Sequence, residues 1–536
     1  MKEQSTTRGM AILSAAGIAV KLLSLLYVPV LISIIGTNGF GVYNNTYAIF
    51  TWVYAMTNIG MQPAIAKLVA ELDEAGNPKD ALRAFKLSRA LLFIVGITAT
   101  LLLIVFAKPL SDITKNPRAM YSLMTLAPTV AVTSVLVAYR GYFQGRNIIT
   151  PIGVSQVIEQ FANVFVSLLF AYMLMNISLE AGVAGGTVGT SVGALISILY
   201  LIYIYNSRKY FKIPKEAQTA HRRHSTKYLV KKVIKYGMPI TLSAGLQNFG
   251  TVIDATNVRT RLLAGGFSID SVDQLTGYLG QYQNLAYVPL VFITAIATIV
   301  LPAISRAVVN RDKEKVKEKI NFAFKVGYII TIPSAVGLVI LSSSIYKLLY
   351  WKDPFGYKLM MYGAFIMVFM AVVQLQTTIL QSLNKFYTVL YTLLAGLIVK
   401  IILNYILIAH PEINIYGAII GGYVGYLITF VLNIRVLRKA IKKRTGYFSL
   451  MLAPAAASAI MGVFVHFINK YMLLLLGGSN PSRIHYALVT LIAVLAGVII
   501  YAYGLILTGV LTKGEIESIS PRIYNKIPRF IKNRMR

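Results

Sequence analysis

The chain has 536 residues, of which 56% are hydrophobic and only 13% are charged, with a formal net charge of +33 and no cysteine. Soluble proteins carry about 25% charged residues, so a water-soluble globular chain is excluded. The missing cysteines exclude disulfides, thiolate metal sites and cysteine nucleophiles. Apolar runs of roughly 18 or more residues recur from end to end, each long enough to cross a hydrocarbon layer about 30 Å thick. They are continuous rather than alternating, which argues against a β-barrel. The fold class is therefore an all-α polytopic membrane protein. The surplus of Lys and Arg fits the basic cytoplasmic loops of such proteins, and no nucleic-acid partner is needed to explain it.

In chain order, the N-terminal MKEQSTTRGMAILSAAGIAVKLLSLL has the basic flank of a signal peptide at Lys2 and Arg8. Its apolar stretch runs on past Lys21 to about Ile35 with no clear small-residue cleavage site, so it is predicted to be the first spanning helix. Fourteen transmembrane helices are predicted, over 9–35, 42–68, 88–107, 120–140, 151–175, 183–205, 233–262, 277–304, 322–346, 358–383, 387–409, 414–437, 448–472 and 485–511. Assigning alternate loops to two sides puts 40 Lys and Arg on the side of both termini and 10 on the other, with Lys21 and Lys400 inside spans. That asymmetry implies an even number of spans and cytoplasmic termini. The longest basic loop, 206–232, follows six spans; its His221–Arg222–Arg223–His224 cluster reads as a solvated segment near anionic lipid rather than a metal site.

The two sides of that loop are alike. Gly41, Tyr43, Pro63, Ala64, Ile65 and Lys67 recur 239 residues later as Gly280, Tyr282, Pro302, Ala303, Ile304 and Arg306. Gly185, Gly189, Val192, Gly193, Leu195 and Ile196 in the sixth span match Gly417, Gly421, Val424, Gly425, Leu427 and Ile428 in the twelfth, and FQGRN at 143–147 matches LQSLN at 380–384. Six spans per half make two parallel six-helix repeats, the plan of many alternating-access transporters with a site between halves. The predicted organisation is an N-lobe over 1–205, the basic loop 206–232, a C-lobe over 233–440, two additional C-terminal helices within 441–512, and a basic tail over 513–536.

A charge at the bilayer centre costs about 2.5–3.5 kcal/mol, so it faces a partner or a cavity. In RGYFQGRNIITPIGVSQVIEQ (140–160), Arg140, Gln144 and Arg146 are expected at or near the cytoplasmic turn between spans four and five. Gln156, Glu159, Gln160, Asn163 and Ser167 share one helical face, which should meet water or protein. Further stripes are Gln247, Thr251, Asp254, Asn257 and Arg261 in span seven, Gln281 and Asn284 in span eight, Gln374, Thr378 and Gln381 in span ten, and Lys400 with Asn404 in span eleven. Lys21 stands alone near the middle of span one. These groups either bind neighbouring helices or line a cavity, and Arg259 with Arg261 also suits interface anchors at the outer end of span seven. The deep lysines suit an anionic phosphate or diphosphate. Glu159 and Asp254 leave a coupling proton or sodium ion open. No GxxxxGK[ST] loop, HExxH or GxSxG is present, so nothing points to ATP hydrolysis or to an enzyme, and no cofactor or metal is expected.

With the repeat, the PAIAK and PAISR helix ends and the YRGYFQG…SQVIEQ stretch (139–160), the whole chain resembles the multidrug/oligosaccharidyl-lipid/polysaccharide (MOP) flippase superfamily. It is most similar to its polysaccharide-biosynthesis branch of the stage V sporulation protein B type, which is related to lipid II flippases. The resemblance implies two lobes forming a V, a central cationic cavity for a precursor headgroup, and a groove at spans thirteen and fourteen for a polyprenyl tail. Lys21 matches a basic position of span one in lipid II flippases. A second arginine of that span falls at about Tyr27 here, and an Asp–Arg pair of span eight falls at about Gln283–Asn284, before Pro289. Asp254 with Arg261 is a candidate replacement pair.

The resulting expectation is a plasma-membrane flippase that moves an undecaprenyl-diphosphate-linked saccharide, lipid II or a related cell-wall precursor, by alternating access, without covalent chemistry. Its partners would be that substrate, the lipid bilayer and cell-wall synthesis proteins. A cation-coupled drug exporter of the same fold would instead need Glu159 or Asp254 and dispense with Lys21 and Lys400. A non-transporting scaffold for cell-wall assembly would tolerate cavity substitutions, and a membrane glycosyl transferase would turn over a sugar donor.

Overall fold

The computed structural model describes residues 6–207, 223–383, 385–441, 446, 448–478 and 480–510. The loop residues His221 and Arg222, Asn384 of the LQSLN repeat and the tail 513–536 lie outside the described residues. All regular structure among the described residues is helical.

Helix α1 (Thr6–Tyr54) carries the first predicted span and part of the second. The two meet at Gly36, whose φ of 71° and ψ of 174° lie in a region open to glycine at little cost. A π-helical turn, Ala55–Ile59, leads into α2 (Met61–Glu74). Helix α3 (Pro78–Val105) starts where Asn77 accepts a hydrogen bond from the Asp80 amide at 3.1 Å. Then come α4 (Ala107–Ile113), α5 (Met120–Gly145), α6 (Thr150–Met175), with Pro151 in its first turn, and α7 (Leu179–Ser207). Helix α8 (Thr226–Ala264) is capped by Ser225, and α9 (Ile269–Ala286) is broken from α10 (Leu290–Val309) just before Pro289. The remaining helices are α11 (Lys313–Ile340), α12 (Ser342–Leu349), α13 (Tyr357–Gly363), α14 (Ile366–Ser382), α15 (Phe386–Leu407), α16 (Tyr416–Ile441), α17 (Ser449–Gly477) and α18 (Arg483–Leu507).

Among the described residues, ten helical segments are long and apolar enough to cross a membrane, and eleven if Pro354–Gly363 and Ile366–Ser382, bent by 52°, form one broken span. The chain is a polytopic membrane protein. Fourteen spans were expected. The difference lies in continuous Ala15–Glu74, which runs 60 residues and holds two expected spans, and in the stretches of α8 and of α9 with α10. The polar stripe of α8 lowers its hydropathy, and the break before Pro289 divides the eighth expected span between α9 and α10.

By packing, the chain divides into two compact units, Met1–Gly277 and Tyr278–Arg536. The sequence repeat turns over earlier, at 206–232. Packing follows α8, which lies on α1, α2 and α3. The first unit is built around Leu68, Phe85, Leu136, Tyr142, Phe143 and Leu201, with a second cluster around Ile49, Leu103, Leu123 and Leu126. The second unit packs around Ile293, Ile320, Phe324, Leu375, Ile379 and Leu437. The α17–α18 hairpin joins it through Leu341, Met461, Val465, Ala493 and Leu505.

The repeat is visible as two hairpins with the same packing device. On α7, side chains at Gly185, Gly189 and Gly193 would run into the backbone of α6 at Phe170, Asn163 and Glu159. On α16, Gly417, Gly421 and Gly425 press on α15 at Ile408, Asn404 and Gly396. Lipid tails are as apolar as leucine, so close backbone approach of this kind, rather than expulsion of water, holds such helices together. Gly189→Ala is expected to cost about 1–3 kcal/mol, because the methyl cannot be accommodated without moving α6. Gly337→Ala, where nothing lies within 4 Å of the new methyl, should be neutral or stabilising. Thermal unfolding of the two variants in detergent checks the contrast.

Candidate functional site

In the first unit α1 and α6 run side by side in the same direction. A side chain on Gly153 would lie 3.2 Å from Ile12 and 3.3 Å from Ala16, and farther along Tyr27 meets Ser167. Lys21 lies between these two contacts along α1, as Glu159 and Gln160 do along α6. Lys21 is exposed, and no salt bridge among the described residues reaches it.

Glu159 is not a free carboxylate. Its Oε2 lies 2.6 Å from Nη2 of Arg140. The same guanidinium donates to Ser155 at 3.1 Å and to Ser197 at 3.2 Å. Arg140 is expected at or near the cytoplasmic turn. It lies farther back, buried between α5, α6 and α7, because acceptors on two neighbouring helices meet its donors. Asn163 accepts from Ser167 at 3.1 Å and from Thr190 at 3.4 Å. Thr190 in turn meets Tyr47 at 2.5 Å, whose ring lies 4.5 Å from that of Tyr43. The polar face of α6 thus turns onto α5 and α7 at Glu159 and Asn163, with Gln156 and Gln160 half-buried beside them.

On α8, Gln247 and Thr251 are exposed, whereas Asp254, Asn257 and Arg261 are half-buried and engaged by neighbouring groups. Arg259, grouped with Arg261 as a candidate interface anchor, is 1% exposed. It pairs with Asp273 at 2.5 Å and donates to the Lys115 carbonyl. Arg118 reaches the same Asp273 at 2.8 Å, as well as Asp270 at 2.6 Å and Glu180 at 3.3 Å. Sequence reasoning missed this cluster, since its members are up to 155 residues apart.

At the other end of α8, Lys232 meets Glu71 at 3.0 Å, Tyr236 donates to the same carboxylate, and Lys67 sits 4.4 Å over the Tyr236 ring. Partial burial alone would lower the Lys232 ammonium, but Glu71 and Tyr228 hold it above its ordinary value. His224 binds the buried Asp80 at 2.9 Å, and Arg146 pairs with Asp73 at 2.8 Å.

A family profile described as "Polysaccharide biosynthesis protein" matches residues 6–308, more than half of the chain. The chain belongs to the polysaccharide biosynthesis protein family. A second profile, MatE, matches residues 269–406. Stage V sporulation protein B of Bacillus subtilis (strain 168) is 24% identical over 82% of this chain and 85% of its own length. The lipid II flippase MurJ of the same organism is 22% identical over 92% of this chain and 94% of its own. Among solved structures, an inward-facing multidrug resistance MATE family transporter of the MOP superfamily aligns with a TM-score of 0.67 at 15% identity, covering 83% of this chain and all of the other. Lipid II flippase MurJ in an inward closed conformation aligns with a TM-score of 0.65 at 16% identity, covering 92% and 98%. The fold is that of the MOP superfamily, as the motifs implied, and the relatives and neighbours include a lipid II flippase and a multidrug resistance transporter.

In the second unit of this polysaccharide biosynthesis protein, the glycine register sets Lys400 opposite Gly421 and Gly425, where Asn163 stands against Gly189 and Gly193 in the first hairpin. Asn404 takes the place of Ser167. Lys400 and Asn404 are both engaged by neighbouring groups. Gln374 donates to Thr294 at 2.9 Å. Gln281 is wholly buried beside Gly356, which Tyr346 also approaches, and Asn284 is half-buried. The two units therefore each bring some of the predicted polar residues together, with Lys21 the exposed cation of the first.

Proposed function

We propose that this protein is a plasma-membrane flippase, with both termini cytoplasmic, for an undecaprenyl-diphosphate-linked saccharide such as lipid II or a related cell-wall precursor. The observation that carries the reading is the extent of the kinship: the lipid II flippase of Bacillus subtilis matches 92% of the chain and 94% of its own length. Lys21 adds a physical reason. A lysine at depth costs about 2.5–3.5 kcal/mol unless a partner or a bound anion offsets it, and a diphosphate supplies oxygens for charge-assisted hydrogen bonds. The headgroup crosses by alternating access while the tail stays in lipid along α17 and α18. The charged groups leave a coupling proton or sodium ion open, and no covalent step occurs.

A cation-coupled drug exporter is the second reading, favoured by the MatE match over residues 269–406 and by the MATE fold. Binding separates the two. The purified protein should bind lipid II saturably, and more tightly than undecaprenyl phosphate. Lys21→Ala should weaken lipid II at least tenfold. Binding of a cationic dye in competition with protons, with no lipid II binding, would overturn the proposal in favour of the exporter.

A further inference from the structure

Ten Lys and Arg residues are assigned to the outer side, and five of them, Lys347, Lys352, Lys358, Lys470 and Arg483, belong to the second unit. A side so poor in cations gives no reason for them to cluster. Two nevertheless converge where α12 ends and α18 begins. Lys347 donates to the Tyr486 hydroxyl at 3.2 Å, with its ammonium 5.3 Å from the ring centre. Arg483 donates Nε to the Leu348 carbonyl at 2.8 Å, and its other guanidinium N–H groups meet no acceptor among the described residues. The Trp351 ring stands 6.4 Å from that of Tyr486 and is 48% exposed. The nearby acid Asp353 accepts a hydrogen bond from Tyr278 at 2.7 Å.

Side chains that merely anchor a protein at the membrane surface need no fixed partners. Here protein groups hold both cationic heads, so little ordering is left for a ligand to supply. Arg483 also opens a helix of 25 residues, whose N-terminal end carries positive partial charge. Trp351 adds an exposed aromatic face beside the cations. Below the cluster, Ile484, Leu488 and Leu491 of α18 are exposed apolar side chains. The arrangement therefore suits an amphiphile with a compact multivalent anion and a hydrocarbon tail.

We infer that Lys347, Arg483, Tyr486 and Trp351 form a docking site for the diphosphate of a polyprenyl-linked product at the outer end of α12 and α18, built from residues other than Lys21. The inference rests on the flippase reading above. Two N–H donors of Arg483 and the Lys347 ammonium face the diphosphate oxygens, and Trp351 lies against the first sugar. The site retains the headgroup after it has crossed.

The chain has two tryptophans, so Trp52→Phe leaves Trp351 as a local reporter. That protein, in nanodiscs of zwitterionic phosphatidylcholine, is titrated with geranylgeranyl diphosphate while tryptophan emission is followed. A saturable change is expected, at least tenfold weaker in Lys347→Ala/Arg483→Ala and restored towards the parent in Lys347→Arg/Arg483→Lys. An unchanged response in the alanine variant overturns the inference, as does an equal response to phosphatidylglycerol, which would make the cluster a general anionic-lipid anchor. Lipid II binding with silent Trp351 emission overturns this inference alone. Failure of the parent protein to bind lipid II at all overturns the proposed function.

Discussion

Arg259→Ala is expected to destabilise the protein by about 3–5 kcal/mol, the cost of leaving one member of a buried ion pair uncompensated. Arg259 is 1% exposed and Asp273 is 0% exposed, so water cannot take the place of either partner. Arg118 still reaches Asp273 at 2.8 Å, but it is shared with Asp270 and Glu180. The loss should therefore be partly buffered, and Arg118→Ala/Arg259→Ala should fall further than Arg259→Ala alone. Replacing the pair together, as Arg259→Leu/Asp273→Leu, should recover much of the stability, because the desolvation of both charges disappears with their attraction. Thermal unfolding in detergent, compared across the single and double variants, reads the coupling. Additive losses across the cycle would show that the pair contributes no interaction energy.

The second large effect is an asymmetry at Arg140 and Glu159. The arginine side chain is 9% exposed and the glutamate 27%. Glu159→Leu strands a buried guanidinium with two serine hydroxyls, whereas Arg140→Leu leaves a carboxylate that water can reach. Glu159→Leu should therefore be the costlier change, by about 1.5–3 kcal/mol, the range for a lost hydrogen bond to a charged group. Arg140→Leu/Glu159→Leu should be more stable than Glu159→Leu and should keep lipid II transport, since on the flippase reading the carboxylate positions helices and carries no proton. A double variant that is folded but inactive in a reconstituted flipping assay would give Glu159 a coupling role, one of the two that the exporter reading allows.

Much of this could be seen along the chain. Apolar runs mark the membrane helices, and the glycines four residues apart mark the α6–α7 and α15–α16 hairpins, because both depend on short-range regularities. The polar face of α6 was legible for the same reason, but its partners were not. Arg140 and Glu159 flank one turn at 140–159 with opposite charges, a signal that could have paired them. Arg259 and Asp273 flank the α8–α9 turn in the same way, but nothing local links Arg118 to Asp273, or Lys347 to Tyr486, 139 residues later.

Hydropathy thus determined the membrane class from the sequence alone, since it follows from the cost of placing a residue in hydrocarbon, and the repeat with its motifs determined the kinship. The tertiary structure decided which polar residues are neutralised and which stay exposed. It turned Glu159 onto Arg140, buried Arg259 against Asp273, enclosed Gln281 and left Lys21 outward. Those outcomes depend on which helices meet, and a charge's cost is set by the neighbours packing brings to it rather than by its place in the chain.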